Sequence, residues 1–221
     1  ADLFEIGFPF SDPIADGPVI AAAMHKALTA GSTPRRVFEE VAAARPALSI
    51  GLVAMVSVSI VTRLGGPARF AGQARDAGFD GLIVPDCPLE ESADLRTAAT
   101  DAGLCFALLI APTTPPKRAA EIAKACTGFV YMLARTGITG ERREAPDIAR
   151  RAALLRETTQ LPIACGFGIS TADHVRAVVA HADAAIVGSA LVRRLDDAAQ
   201  RGHDPAHEAG TMVRELAAGL R

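Results

Sequence analysis

Three carboxylates crowd the stretch Glu5-Ile-Gly-Phe-Pro-Phe-Ser-Asp-Pro-Ile-Ala-Asp-Gly17, and each sits in a different local setting. Glu5 belongs to an alternating run, residues 2–7, in which Phe4 and Ile6 share one face and Leu3, Glu5 and Gly7 the other. With the bulky pair turned toward covering helices, Glu5 points to the interior side. Burial there disfavours the charged carboxylate and lifts its pKa toward the working range of a general acid/base. The alternative is a capping or pairing role at the strand end, although an unpaired buried carboxylate is costly unless it is used. Asp12 precedes Pro13 and reads as a turn residue. Asp16 precedes Gly17-Pro18 and stays open between starting a helix over residues 19–28 and taking part in catalysis.

A second chemistry is written near the other end of the chain. Cys165-Gly-Phe-Gly-Ile-Ser170 and Val187-Gly-Ser-Ala-Leu191 each place glycine where a β-prone run gives way to a helical one. Backbone N–H groups and a helix N-terminus can approach an anion at such a turn, and the last two strands of a barrel are where such folds seat phosphate. Between the carboxylates and these turns, Ala134-Arg-Thr-Gly-Ile-Thr-Gly-Glu-Arg-Arg-Glu144 has the polar, glycine-punctuated composition of a lid, or of a plain connector. Tyr131, just before it, either fills core or lines the mouth with its hydroxyl. His203 and His207 do not form a metal site, because Pro205 breaks the helix that would align them. His25, His174 and His181 lie on helical patterns and are expected at the surface. No metal and no cofactor is called for.

These residues need elements to carry them. Short β-prone runs at 2–7, 49–55, 81–84, 104–111, 128–133, 161–166 and 184–187 alternate with helical patterns such as Val37-Phe38-Val41, Ala119-Ile122-Ala123 and Val175-Val178-Val179. Near-continuous apolar strands separated by helices predict a parallel sheet covered by helices. Seven such units, one short of the usual eight, predict an α/β fold of the (β/α)8 TIM-barrel class with the first βα unit missing from this chain. An open doubly wound sheet is the rival, but the glycine fingerprint it needs at its first strand-to-helix turn is absent. Residues 206–220 form a closing helix, and 1–221 is expected to be a single barrel domain.

Composition narrows the function. Half of the 221 residues are hydrophobic and the formal net charge is −2, with no basic run interleaved with aromatics, which argues against nucleic-acid binding. The four cysteines, Cys87, Cys105, Cys126 and Cys165, form no Cys-x-x-Cys pair and read as buried thiols of a reducing compartment. Apolar runs break before membrane-spanning length, and the expectation is a soluble, cytoplasmic protein without a membrane partner.

The motif Glu-x-Gly-x-Pro-Phe-Ser-Asp-Pro-x-Ala-Asp-Gly-Pro at residues 5–18 resembles the signature of the tryptophan synthase α subunit. The resemblance continues through Pro85-Asp-Cys-Pro-Leu-Glu-Glu-Ser92, Ala111-Pro-Thr-Thr-Pro115, Tyr131, Arg135-Thr-Gly-Ile-Thr-Gly140, Gly166-Phe-Gly-Ile-Ser170 and Val187-Gly-Ser-Ala190. It implies a cofactor-free lyase of tryptophan biosynthesis that splits indole-3-glycerol phosphate into indole and glyceraldehyde 3-phosphate by retro-aldol chemistry. By that resemblance Glu5 is the general acid/base and Asp16 holds the indole N–H. Tyr131 positions substrate and Thr139 sits on the lid. Phosphate rests on Gly140, Gly168, Gly188 and Ser189, and Ile83, Ile110, Phe167 and Ile186 wall the indole. The implied partner is a β subunit, in a heterotetramer of two α and two β chains. Val56-Ser-Val-Ser-Ile60 stands where the family has Gly-Tyr-Tyr-Asn-Pro, a segment of the α–β contact. Two rivals are a phosphate-binding barrel isomerase, which has no need of the Glu5/Asp16 motif, and a catalytically silent partner-binding subunit.

Overall fold

The computed structural model describes residues 1–13, 16–135 and 148–221. By internal contacts the chain divides into two compact units. The first comprises Ala1–Asp12, Met24–Leu109 and Glu121–Val130; the second comprises Pro13–Ala23, Ile110–Ala120 and Tyr131–Arg221.

The first unit is built on a parallel sheet of β1 (Leu3–Gly7), β2 (Gly51–Met55), β3 (Gly81–Ile83) and β4 (Cys105–Ala107), in that order. Register decides which residues share a face. Glu5 pairs with Val53, Val53 with Gly81, and Gly81 with Cys105, while Gly7, Met55, Ile83 and Ala107 align two residues further on. Side chains alternate along a strand, so Glu5 and Ile83 lie on one face and Phe4, Ile6, Leu52, Leu82 and Phe106 on the other. The parity expected from the sequence therefore holds. Beyond β1 the same alternation carries Phe8 into the core, where its ring lies 5.1 Å from that of Phe38 and 5.6 Å from that of Phe70. Phe38 comes from α2 (Pro34–Ala44) and Phe70 from α4 (Pro67–Ala77). The short α3 (Val58–Arg63) and α5 (Ala93–Asp101) complete the connections, and α1 (Pro18–Thr29) follows the acidic loop.

The fourth predicted strand, 104–111, is divided. Residue Leu108 separates β4 from β5 (Leu109–Ile110), which belongs to a second sheet of order β5, β6 (Val130–Leu133), β7 (Ile163–Gly166) and β8 (Ala184–Ile186). Among the described residues eight strands thus stand in place of the seven read from the sequence. The break is held by a side chain: Leu108 N–H donates to Cys126 Sγ at 3.3 Å, and the thiol lies 3.3 Å from the Ile122 carbonyl one helical turn earlier in α6 (Pro116–Ala125). A backbone group that leaves its ladder is satisfied in this way at little cost.

Along the chain α7 (Ala149–Arg156) stands between β6 and β7 and α8 (Ala172–Val179) between β7 and β8, and after β8 come α9 (Ser189–Gln200), α10 (Pro205–Ala217) and a 3-10 turn, Ala218–Leu220. The expected closing helix thus begins one residue earlier and ends as a tighter turn. Matching side-chain clamps fix strand starts in the two units. Asp80 Oδ2 accepts Leu52 N–H at 2.8 Å while Arg45 donates to Asp80 Oδ1 at 3.2 Å. Asp183 Oδ2 accepts Ile163 N–H at 2.7 Å and pairs with Arg156. Three cysteines are buried as expected, but Cys105 is exposed. It opens β4 at its outer end, beside Gly128, where a Cβ would come 2.7 Å from its sulfur.

Candidate active site

Each carboxylate of the opening motif has a distinct environment. Glu5 extends from the middle of β1, and its Oε1 is sealed from solvent without a hydrogen-bond partner among the described residues. Burial, with no opposing charge, pushes the Glu5 carboxyl from an ordinary 4.5 up to about 7. At neutral pH both protonation states are then populated, which is the condition for giving and taking a proton in one cycle. Asp16 is half-buried ahead of α1, and burial raises its carboxyl above the ordinary range as well. Asp12 is exposed and accepts the Ser11 hydroxyl at 2.6 Å, as a turn residue does. Ile83, on the Glu5 face of the first sheet, is fully buried.

In the second unit two expected site residues, Tyr131 and Ile186, meet at Gly166. Gly166 pairs with Ile186 across β7 and β8, and a Cβ on Gly166 would fall 2.7 Å from Tyr131 Oη and 3.1 Å from Ile186 Cβ. Glycine is what lets the tyrosine hydroxyl cross β7 at this level. Tyr131 is 4 % exposed, so its ring fills core while its hydroxyl reaches the strand end. Ile110, at the end of β5, is buried too.

Beyond Gly166 the chain turns through two left-handed residues, Phe167 at φ 83° and Gly168 at φ 86°. The conformation is natural for glycine, whereas Phe167 is strained in it, and such strain gathers where ligands are held. Gly188 precedes α9, which among the described residues has no side-chain cap at its start, and no described residue other than its chain neighbours lies within 4 Å of where a Gly188 Cβ would be. Open space in front of uncapped N–H groups is what an anion requires. Ser189, the first residue of α9, is buried. Thr139 and Gly140 lie outside the described residues, as does most of the glycine-punctuated loop.

A cavity of about 410 Å³ between α8, α9 and α10 is lined by Ser170 at the exit of that turn and by Arg193, Arg194, Asp197 and Glu215 among others. Its two arginines are balanced by two acids, so it has no preference for an anion. Among the described residues no cluster of three His, Cys, Asp or Glu could hold a metal ion, and no helix is long and apolar enough to cross a membrane.

One buried polar residue escaped sequence reasoning. His174, expected at the surface with His25 and His181, is 4 % exposed, whereas the other two are exposed. Its four-residue spacing from Val178, on the apolar face of α8, was the available signal.

The whole of residues 1–221 matches the family model described as tryptophan synthase alpha chain. The chain belongs to the tryptophan synthase alpha chain family. It is 44 % identical over 218 residues to the tryptophan synthase alpha chain of Synechococcus sp., covering 98 % of this chain and 80 % of that one. Against the alpha chain of Chromobacterium violaceum the identity is 43 % over 223 residues, covering 100 % and 84 %. Among solved structures, tryptophan synthase subunit alpha of Legionella pneumophila superposes with a TM-score of 0.89 at 30 % identity, over 100 % of this chain and 82 % of that one. Mycobacterium tuberculosis tryptophan synthase gives a TM-score of 0.88 at 32 % identity, over 100 % and 81 %. The fold class is accordingly that of the (β/α) TIM-barrel alpha chains, of whose length this chain spans about four fifths.

Proposed function

We propose that this tryptophan synthase alpha chain cleaves indole-3-glycerol phosphate to indole and glyceraldehyde 3-phosphate, with Glu5 as the general acid/base. The observation that carries the assignment to Glu5 is its carboxyl oxygen Oε1, sealed and without a partner among the described residues, on a group that burial pushes up to about 7. Cleavage needs a proton delivered to the indole ring carbon that bears the glycerol chain and a proton removed from the neighbouring hydroxyl. As the hydroxyl becomes a carbonyl, the electron pair of the breaking carbon–carbon bond returns to the ring. Indole leaves from one side and the aldehyde from the other. One carboxyl populated in both states can serve the two transfers.

Asp16 keeps partial access to water and offers its carboxylate to the indole N–H, which supports positive charge on the protonated ring. Two acids in unlike environments thus take separate roles at one pH. Tyr131 positions the substrate, and Ile83, Ile110, Phe167 and Ile186 supply apolar wall. Phosphate is held by backbone N–H groups around Gly140, Gly168, Gly188 and Ser189, and Thr139 keeps the role of a lid residue. Binding energy at that remote end fixes the reactive end. The chemistry calls for no cofactor.

The proposed partner is a tryptophan synthase β subunit in the cytoplasm, in a heterotetramer whose contact differs at residues 56–60. Val56 and Ile60 are buried, and Ser57 donates to Asp86 at 2.7 Å while capping α3, which leaves a small polar surface there. Residues 1–221 are taken to act as one domain, which a single cooperative unfolding transition supports and two separate transitions contradict. The reaction is tested by incubating the protein with indole-3-glycerol phosphate, with and without a β subunit, and measuring both products. Indole and glyceraldehyde 3-phosphate in equal amounts are expected; absence of both, even with the β subunit present, rejects the reading.

A further inference from the structure

His174 is one of three buried polar or charged residues among those described, and it stands in the first turn of α8. That turn is fixed from several directions. Thr171 Oγ1 accepts the His174 backbone N–H at 3.2 Å, and in return the His174 ring reaches back, its Nδ1 accepting the Ser170 N–H at 3.4 Å. A ring that accepts at Nδ1 carries its proton on Nε2 in the neutral state. The closing 3-10 turn packs on the same residues: a Cβ on Gly219 would lie 2.1 Å from the Ala172 carbonyl oxygen, and Arg176 Nη2 donates to the Ala218 carbonyl at 3.3 Å.

Ser170 is the exit of the turn that contains left-handed Phe167 and Gly168. A non-glycine residue persists in that conformation only where its surroundings leave it no alternative. On the entry side Ala134 N–H donates to the Gly166 carbonyl at 2.7 Å, and on the exit side the Ser170 N–H is held by His174. Both ends of the strained turn are therefore tied, and its N–H groups are presented to an anion without prior rearrangement.

We infer that His174 is a positioning residue for the anion-binding turn at residues 167–170, holding it through the Ser170 N–H. The inference rests on the reading of this turn as the seat of the substrate phosphate. His174 acts through Ser170 and not on the substrate.

The test compares His174→Leu, His174→Asn and His174→Gln in two assays: indole release from indole-3-glycerol phosphate, and titration with inorganic phosphate followed by the amide resonances of Gly168 and Ser170. Leucine leaves the Ser170 N–H without an acceptor, so KM and the phosphate Kd are expected to rise about 10-fold with kcat within about 2-fold of wild type. Asparagine puts an acceptor where Nδ1 stands and is expected to stay within about 3-fold of wild type. Glutamine moves the acceptor one carbon further out and is expected to behave like leucine. If the leucine variant does not fold, the asparagine–glutamine comparison decides. Equal phosphate affinity in asparagine and glutamine variants, or wild-type affinity in the leucine variant, overturns the inference alone. A wild-type protein whose Gly168 and Ser170 amides ignore phosphate overturns the phosphate reading of the turn, and the inference with it.

Discussion

Replacing Glu5 by glutamine should abolish activity and, above neutral pH, make the protein more stable. The sign follows from linkage. An acid whose folded-state pKa is raised binds its proton more tightly when folded, so folding is progressively penalised as pH climbs from the unfolded to the folded value. For Glu5 that window runs from an ordinary 4.5 to about 7, because burial removes water from the carboxyl and, among the described residues, no partner replaces it at Oε1. At about 1.4 kcal/mol per pH unit the full penalty is about 3 kcal/mol, and residual water access reduces it to about 2–3 kcal/mol. Glutamine keeps the shape, carries no charge and escapes the penalty. Urea unfolding of both proteins from pH 4.5 to pH 8 should therefore give similar stabilities at the acid end. The variant should gain about 2–3 kcal/mol by pH 8, or about 4–12 °C in Tm for a chain of this size. Parallel pH profiles for the two proteins would refute the burial argument, because they would mean that Glu5 titrates alike in the folded and unfolded chain.

The Asp183 clamp carries the opposite sign. Burial works to raise its carboxyl, but the Ile163 N–H and Arg156 outweigh this and hold it below the ordinary range. Its contribution is present above the unfolded value and lost as pH falls through the lower folded one. Asp183→Asn should therefore cost about 1 kcal/mol at pH 7 in denaturant unfolding, discounted for a half-exposed ion pair, and the difference should shrink as pH falls below the ordinary carboxylate range. Gly166→Ala places a methyl 2.7 Å from Tyr131 Oη, so kcat/KM should fall at least about 10-fold, and adding Tyr131→Phe should restore part of it in a double-mutant cycle. Cys126→Val strips the thiol from Leu108 N–H and should cost about 1–3 kcal/mol, whereas Cys126→Ser should cost less.

What the sequence reveals about this fold follows the range over which each feature is decided. Alternation along residues 2–7 separates Glu5 from Phe4 and Ile6, and the strand register agrees, because a period of two is a local property. The glycines at Gly166 and Gly168 are local too, since close approach at Gly166 and a left-handed φ at Gly168 favour glycine. The break at Leu108 is different: its polar groups meet a thiol 18 residues away, and no pattern within residues 104–111 announces that. Cys105 looks apolar by its neighbours, yet its place at the outer end of β4 exposes it. His174 fails for the same reason in reverse, because a histidine in a helix is read as polar until its ring finds the Ser170 N–H. Local chemistry leaves Asp16 open, because a helix-start role explains it equally well; the family motif, a longer pattern than any helix boundary, puts it in the proposed site.

The central claim is that Glu5 carries the proton in indole release. Its most direct test is single-turnover indole formation from indole-3-glycerol phosphate at pH 7 by wild type and Glu5→Gln, with each fold checked by circular dichroism. Loss of the acid/base group should slow the variant by at least about 10²–10⁴-fold with its fold intact. A folded Glu5→Gln protein that keeps more than about a tenth of the wild-type rate contradicts the account.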